Sequence, residues 1–191
     1  MRHLTKALLT LALASSAFAA APVPRPAKEF TFIEASGKQT LLSSYKGKVV
    51  VIQFLFTTCP HCQALSTELT KMMKDVPGAQ ILGVAFNEEA NPATVDQYIR
   101  QQHVGFPVVV APRETVLNFL GISVMERLAV PQMVIIDKKG VIRRQSDPQG
   151  TAELQMPDKL IPMIKGYQAE GGAAMPAPKT GATTKPDSAT R

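Results

Sequence analysis

The sequence predicts an α/β fold in which a mixed central sheet carries helices on both faces. Residues 49–56, "VVVIQFLF", are a nearly continuous run of β-branched and aromatic residues, which is typical of a strand buried on both faces. Further strand-like runs alternate with helical patterns downstream, and this alternation indicates strands joined by helical crossovers. The turn "DKKG" between the last two strand-like runs predicts one antiparallel hairpin at the end of the sheet.

Each further element has its own signal along the chain. The weak alternation of Phe30–Ile33 before the turn "EASGKQT" predicts a short N-terminal hairpin. After the central strand, apolar residues recur at helical spacing from Pro60 to about Lys74 and predict an amphipathic helix. The later elements are predicted as a strand at 81–86, a helix from Asn91-Pro92, a strand at 106–111, a helix from Pro112, strands at 133–137 and 141–144, and a helix within 157–168 that Pro162 interrupts.

The two ends of the chain differ from the part between them. Residues 1–19 combine basic residues, a short apolar run and Ala17-Phe18-Ala19, which is the layout of a cleavable signal peptide. Residues 20–29 are rich in proline and are expected to be a flexible leader. Residues 169–191 are mostly Gly, Ala, Pro, Thr and Lys and are expected to be a disordered tail. One folded domain is therefore expected over residues 30–168.

Charge and length restrict the partners. The net charge of the whole chain is +6, and it falls to +4 when the predicted signal is removed with Arg2 and Lys6. The excess lies mainly in the tail and in "DKKGVIRR", without a basic stripe lined by aromatic residues, so no nucleic acid is expected as a partner. We expect an exported protein, periplasmic or otherwise extracytoplasmic, with no stable membrane insertion after signal cleavage.

The chain has only two cysteines, Cys59 and Cys62, in the stretch "TTCPHCQ". A zinc site would need two further ligands, and a c-type haem would need histidine where Gln63 stands. A purely structural disulfide would close too short a loop to add much stability. A copper-binding protein would need little more than the two sulfurs and stays an alternative. We therefore expect no metal site for the main function and no separate cofactor.

A redox role fits the position of the two cysteines better. Cys59 directly precedes the predicted helix, and unpaired N–H groups and the helix dipole favour a thiolate at a helix N-terminus. Cys59 is therefore predicted to be the attacking sulfur.

These residues give the sequence a resemblance to the thioredoxin superfamily. "VVVIQFLFTTCPHC" is similar to the central strand of that superfamily and its C-x-x-C helix, and "LAVPQMVIIDKKGVI" is similar to a later strand preceded by a cis-proline. The long stretch between Cys62 and Pro131 resembles the exported TlpA- and ResA-like branch, also described as redoxin or AhpC/TSA-like. The resemblance covers about residues 30–167 and implies a thioredoxin-like three-layer fold.

The resemblance also implies an activity and roles for four residues. The activity is thiol-disulfide oxidoreduction, with Cys59 as the nucleophile and Cys62 as the resolving thiol, so that a redox-active disulfide takes the place of a cofactor. Val130 and Pro131 are expected to form the loop that receives the substrate chain. The expected partners are cysteine-containing exported proteins and a membrane redox partner.

The direction of electron transfer stays open at this point. Pro60 and His61 are the pair found in DsbA-like oxidants, where a histidine beside the helix N-terminus stabilises the thiolate and hence the reduced form. The TlpA-like branch, in contrast, is mostly associated with exported reductases. The active-site loop therefore favours an oxidant and the rest of the domain favours a reductant.

The sequence departs from the family in ways that affect proton transfer and bear on a second activity. Gln53 stands where thioredoxin has a buried carboxylate, so the proton of the resolving thiol is expected to leave through water, and Thr58 replaces the common tryptophan. A thiol peroxidase of the AhpC/TSA type is an alternative function. The usual peroxiredoxin pattern P-x-x-x-[T/S]-x-x-C, however, is not met by Ile52 and Phe56.

Overall fold

The computed structural model describes residues 20–34 and 36–170, and its centre is a six-stranded mixed sheet with a separate two-stranded hairpin. The strands are β1 (Arg25–Pro26), β2 (Thr31–Ile33), β3 (Gln39–Leu41), β4 (Val50–Leu55), β5 (Gln80–Ala85), β6 (Val108–Val110), β7 (Gln132–Ile136) and β8 (Val141–Gln145). Their order in the main sheet is β1-β8-β7-β4-β5-β6, and β2 pairs with β3 in the hairpin.

Helices cover both faces of the sheet, so the predicted fold class is confirmed. The helices are α1 (Pro60–Met72), α2 (Pro92–Gln102), α3 (Arg113–Leu120) and α4 (Pro157–Ala169), and short 3₁₀ turns lie at Leu42–Tyr45, Met73–Asp75 and Ala152–Gln155. One hydrophobic cluster joins α1, α2 and α4 to the sheet, and a second joins α3 and the β2–β3 hairpin to the opposite face.

Strand β4 lies at the middle of the sheet and is buried along its whole length. It pairs in parallel with β5 and antiparallel with β7. Its side chains alternate between the two clusters, with Val51 and Leu55 on the side of α1 and Ile52 and Phe54 on the side of α3. Because Gln53 lies between Val51 and Leu55 in this alternation, it faces the helix that carries the cysteines.

Part of the predicted leader at residues 20–29 belongs to the main sheet. Arg25 and Pro26 form β1, which pairs antiparallel with β8 at the edge of the main sheet. The Arg25 guanidinium donates to the carbonyl oxygens of Phe119 and Leu120 and to Gln145 Oε1. A proline-rich segment cannot form a core of its own, but an edge strand tolerates proline and one arginine supplies the donors that dock it.

The end of the domain also differs from the prediction. Helix α4 continues through Pro162 to Ala169. Pro162 removes the hydrogen bond to the Asp158 carbonyl, but Asp158 lies on the exposed first turn, where water can serve that carbonyl. The next residue, Glu170, pairs with Arg143 at 2.7 Å, so the ordered domain includes residues assigned to the tail.

Two predicted segments lie outside the described residues: the signal peptide at 1–19 and the tail from 171 onward. Over the part that the structure describes, no helix combines the length and the apolar character needed to cross a bilayer.

Candidate active site

The two cysteines lie where β4 leads into α1. Cys59 is the N-cap residue of the helix and Pro60 is its first residue. Proline suits this position because its φ angle is already helical and its missing N–H would have no partner in the first turn. The Cys59 amide donates to the Phe56 carbonyl at 3.1 Å, which closes the turn between strand and helix. The local sequence thus places the Cys59 sulfur at the positive end of the helix dipole.

The two thiols have unlike surroundings. Cys59 is partly exposed, whereas Cys62 lies inside the helix and is 0% exposed. Burial raises the pKa of the Cys62 thiol, and its contact with Cys59 raises that pKa further. Since the thiolate is the nucleophilic form, the accessible Cys59 suits the first attack, and Cys62 suits a later step within the protein.

The predicted substrate loop faces the accessible sulfur. The Val130–Pro131 peptide bond is cis, as the resemblance to the thioredoxin superfamily implies. The Val130 carbonyl oxygen lies 4.0 Å from Cys59 Sγ, although the two residues are 71 positions apart in the chain. Because β7 runs antiparallel to β4, its first residues lie beside the last residues of β4, and the loop before β7 therefore lies close to Cys59. The partly exposed Cys59 and Val130 and the buried Pro131 therefore lie together at this end of the sheet.

The residues expected to tune the thiolate are on the surface. Pro60 and His61 are both exposed, and Thr58 is exposed beside them. The His61 side chain makes no hydrogen bond or ion pair with any residue of the described ranges 20–34 and 36–170. The histidine therefore has free access to solvent next to Cys59.

A buried polar network lies directly under the C-x-x-C turn. Gln53 Nε2 donates to the Cys62 carbonyl at 3.1 Å, and Ser66 Oγ donates to Gln53 Oε1 at 2.7 Å. The Tyr98 hydroxyl lies 2.6 Å from Ser66 Oγ and 3.1 Å from the same Cys62 carbonyl. The network links β4, α1 and α2, so the helix between β5 and β6 is tied to the active-site turn.

The protons in this network are few. Three contacts, Ser66 to Gln53, Ser66 to Tyr98 and Tyr98 to Cys62, share only the two hydroxyl protons of Ser66 and Tyr98. All members are neutral, because burial raises the pKa of the Tyr98 phenol and the amide of Gln53 does not ionise. The network therefore holds the turn in place but contains no carboxylate that would accept the proton of Cys62.

Sequence reasoning found only part of this network. Gln53 stood out through the resemblance, because it stands where thioredoxin has a buried carboxylate. The hydroxyl partners of Tyr98 were missed, as was Ser66. A tyrosine on a buried helix face was the available signal, because a buried phenol usually finds a hydrogen-bond partner.

A second clamp holds the turn before Cys59. The Thr57 amide donates to Asn87 Oδ1 at 3.1 Å, and Asn87 Nδ2 donates to Glu89 at 3.0 Å. This bond to Asn87 lowers the pKa of the Glu89 carboxyl. A pocket of about 210 Å³ opens here, and its lining includes Thr57, Thr58, Gln63, Glu89 and Tyr98. A larger cavity of about 320 Å³ lies at the other end of β4, beside Val50 and Ile136, away from both cysteines.

The site offers sulfur chemistry without a metal cluster. Among the described residues, no three or more His, Cys, Asp or Glu side chains come together in a way that would hold a metal ion. What the geometry does provide is one accessible thiol, one buried thiol next to it and a backbone carbonyl facing the accessible sulfur. This arrangement can exchange a dithiol for a disulfide.

Comparison with known families and sequences points to redox proteins. The family model described as AhpC/TSA family matches residues 23–145. Thiol-disulfide oxidoreductase ResA from Geobacillus thermodenitrificans is 26% identical over 153 residues, which cover 75% of this chain and 84% of ResA. Thiol:disulfide interchange protein DsbE from Pseudomonas aeruginosa is 24% identical over 123 residues, which cover 64% of this chain and 63% of DsbE.

Solved structures show the same fold. A thiol:disulfide interchange protein of the thioredoxin family from Chlorobium tepidum superposes with a TM-score of 0.60 at 24% identity, covering 78% of this chain and 100% of that one. The thioredoxin domain of a thiol-disulfide oxidoreductase from Bacteroides vulgatus also gives 0.60, at 21% identity, covering 77% of this chain and 98% of that one. At these identities the likeness establishes a thioredoxin-like fold.

Proposed function

The chain belongs to the AhpC/TSA family, and from this premise we propose that it is a thiol-disulfide oxidoreductase that works through Cys59 and Cys62. The observation that carries the proposal is the asymmetry of the two thiols. Cys59 is accessible at the helix N-terminus and faces Val130, whereas Cys62 is fully buried and its pKa is raised. The names of the ResA and DsbE relatives support the same chemistry.

The reaction proceeds in two exchanges of the same kind. The Cys59 thiolate attacks one sulfur of a substrate disulfide, so that a Cys59–substrate bond forms, the substrate disulfide breaks, and the leaving sulfur takes up a proton. Cys62 then loses its proton and attacks Cys59 Sγ, which forms the Cys59–Cys62 disulfide and releases the second substrate thiol. The substrate gains two electrons and the protein loses two. Run backwards, the same steps oxidise a dithiol.

Substrate, location and direction belong to the proposal as well. We propose that the substrates are cysteine-containing exported proteins, that Val130 and Pro131 receive their chains, and that a membrane redox partner restores the active form. The signal-like sequence at 1–19 supports a periplasmic or other extracytoplasmic location. The pair Pro60 and His61 favours an oxidant, the relatedness to the ResA-like branch favours a reductant, and the redox potential decides between them.

The experiment is a trap of the mixed disulfide. Purified Cys62→Ser should form a covalent adduct with a disulfide-bonded model protein, linked through Cys59 and released by reductant, because the resolving thiol is missing. Cys59→Ser should form none, since Cys62 is buried. Adducts formed only by Cys59→Ser would contradict the assigned roles.

Two other activities are distinguished by simple controls. A thiol peroxidase would consume hydrogen peroxide, but Ile52 and Phe56 depart from the peroxiredoxin pattern and Ile52 is a buried apolar residue, so we expect no such turnover. A copper-binding protein would retain copper on the reduced thiols through desalting. Peroxide turnover or retained copper together with failure of the trap would replace the proposed function.

A further inference from the structure

The residue after the cis-proline, Gln132, reaches an unusual number of backbone groups. Its side chain is fully buried, and Nε2 lies 2.8 Å from the Ala129 carbonyl oxygen, 3.1 Å from that of Asp147 and 3.3 Å from that of Pro148. Ala129 belongs to residues 127–131, here called the proline loop. Asp147 and Pro148 belong to residues 146–151, here called the support loop. One primary amide thus joins the two loops.

Other contacts join the same two loops. The Ala129 amide donates to the Pro148 carbonyl at 2.8 Å, and Gln149 Nε2 donates to the Arg127 carbonyl at 3.0 Å. The support loop is therefore hydrogen-bonded to the proline loop, and the Val130 carbonyl of the proline loop faces Cys59.

The three carbonyls do not depend equally on Gln132. The Asp147 carbonyl also accepts from the Gly150 amide, and the Pro148 carbonyl also accepts from the Ala129 amide. Within the described part of the chain, the Ala129 carbonyl has no donor other than Gln132. Loss of the amide would thus release the proline loop specifically, at the residue next to Val130.

The burial of Gln132 has an energetic cost that filling space in the core does not explain. Its Oε1 is buried and has no hydrogen-bond partner in the described residues. A buried acceptor without a partner is unfavourable and calls for a reason. A methionine of similar shape would fill the same space without this penalty, but it has no N–H groups for the loop.

We propose that Gln132 is a positioning residue for substrate: its amide fixes the proline loop so that a polypeptide can dock beside Cys59. This inference rests on the proposed exchange reaction and adds a residue to it. Gln132 touches neither sulfur nor substrate, so it should affect the docking of a chain and leave the intrinsic reactivity of Cys59 unchanged.

Two probes with one leaving group separate docking from reactivity. One is a short extended peptide whose single cysteine carries a thiopyridyl disulfide, and the other is N-acetylcysteine amide with the same group. In both, the Cys59 thiolate attacks the cysteine sulfur, the bond to thiopyridine breaks, and thiopyridone is released and measured by absorbance. Only the peptide has a backbone that the proline loop can hold.

Gln132→Met should lower the second-order rate constant for the peptide about tenfold, the effect of losing one hydrogen bond to a docking element. The rate constant for the acetylcysteine probe should stay within about twofold of the wild-type value. The redox potential should equal that of the wild type within error. Gln145→Met is the matched control, because Gln145 Nε2 also holds a backbone carbonyl, that of Leu120 at 2.8 Å, away from the proline loop. It should leave both rates unchanged.

The possible failures are distinguishable. Equal peptide rates in the wild type and Gln132→Met, or a parallel fall for both probes, would overturn the role of Gln132 alone. A wild type that reacts with acetylcysteine but gains nothing from the peptide would overturn chain docking at the proline loop. A wild type that reacts with neither would overturn the proposed function.

A measurement on the wild type covers the case in which Gln132→Met does not fold. The Ala129 backbone amide and the Gln132 side-chain amide protons belong to the same joined structure, so both should exchange slowly with solvent, and peptide binding should slow both further. Fast exchange at both positions, with or without peptide, would overturn the proposal.

Discussion

Raising the pH should destabilise the reduced protein through Cys62. The thiol is fully buried, and burial raises its pKa above the value that it has in the unfolded chain, about 8.5. Above that pH the unfolded chain gives up this proton while the folded protein keeps it. Because the folded state then binds more protons than the unfolded state, stability must fall as the pH rises.

The magnitude follows from the linkage relation and needs no value for the folded pKa. The stabilisation from Cys62 is complete below about pH 8.5 and is lost at about 1.4 kcal/mol per pH unit as the pH rises towards the folded pKa. Between about pH 8.5 and about pH 10 the loss is therefore about 2 kcal/mol. Cys62→Ser has nearly the same shape and no titrating thiol, so it should lack this loss.

Urea unfolding of both proteins in a non-thiol reductant measures the effect. The difference in unfolding free energy between the wild type and Cys62→Ser should be constant up to about pH 8 and should then shrink by about 2 kcal/mol by about pH 10. The pH range stops at about 10 because the Tyr98 phenol of the unfolded chain begins to lose its proton there. Its pKa in the folded protein is raised, so above this pH Tyr98 would contribute a loss of its own. A difference that stays constant to pH 10 would refute the claim that burial keeps Cys62 protonated.

Three further expectations follow from the same structure. The rate at which Cys62 resolves a mixed disulfide should rise up to about tenfold per pH unit near neutrality, because only its thiolate attacks; a stopped-flow profile that is flat from about pH 6 to about pH 8 would contradict this. Tyr98→Phe should lower the free energy of unfolding by about 1 kcal/mol. Tyr167→Phe is the control and should lower it little, because the Tyr167 hydroxyl makes no hydrogen bond in the described part of the chain. Equal losses in urea unfolding would argue against the buried network. Arg143→Leu should lower the free energy of unfolding by about 2 kcal/mol, because it leaves two mostly buried carboxylates without their cation. Arg100→Leu removes an exposed ion pair and should lower it by less than about 0.5 kcal/mol. The reverse order in urea unfolding would be incompatible with the ion-pair geometry.

The sequence was sufficient for the central sheet and for the position of the cysteines. The run at 49–56 became the buried β4, and Asn91 became the N-cap of α2 with a capping box to Thr94. These elements are predictable because periodicity, burial and caps act locally. The proximity of Cys59 and the proline loop could be predicted only through the resemblance, since Cys59 and Val130 are 71 residues apart in the chain.

The sequence was not sufficient where single side chains act over long distances. Arg25 docks a segment that composition alone describes as a flexible leader, and its acceptors lie on α3 and β8. Gln132 and Ser66 look unremarkable in one dimension, because their partners are backbone or side-chain atoms that only the folded chain brings near. Hydrogen bonds between residues far apart in the chain leave no periodic pattern in the sequence, so such partners cannot be predicted from it.

The redox potential of the Cys59–Cys62 pair tests the central claim most directly. Purified protein without residues 1–19 is equilibrated in glutathione and then dithiothreitol buffers, and the fraction of disulfide is measured by thiol alkylation. The account predicts one reversible two-electron transition, about 30 mV for each tenfold change in the ratio of disulfide to dithiol, with a midpoint at or below about −120 mV, absent in Cys59→Ser. A midpoint near about −120 mV identifies an oxidant, and one near or below about −270 mV identifies a reductase. Thiols that form no reversible disulfide in either buffer would contradict the claim that the two cysteines are a redox couple.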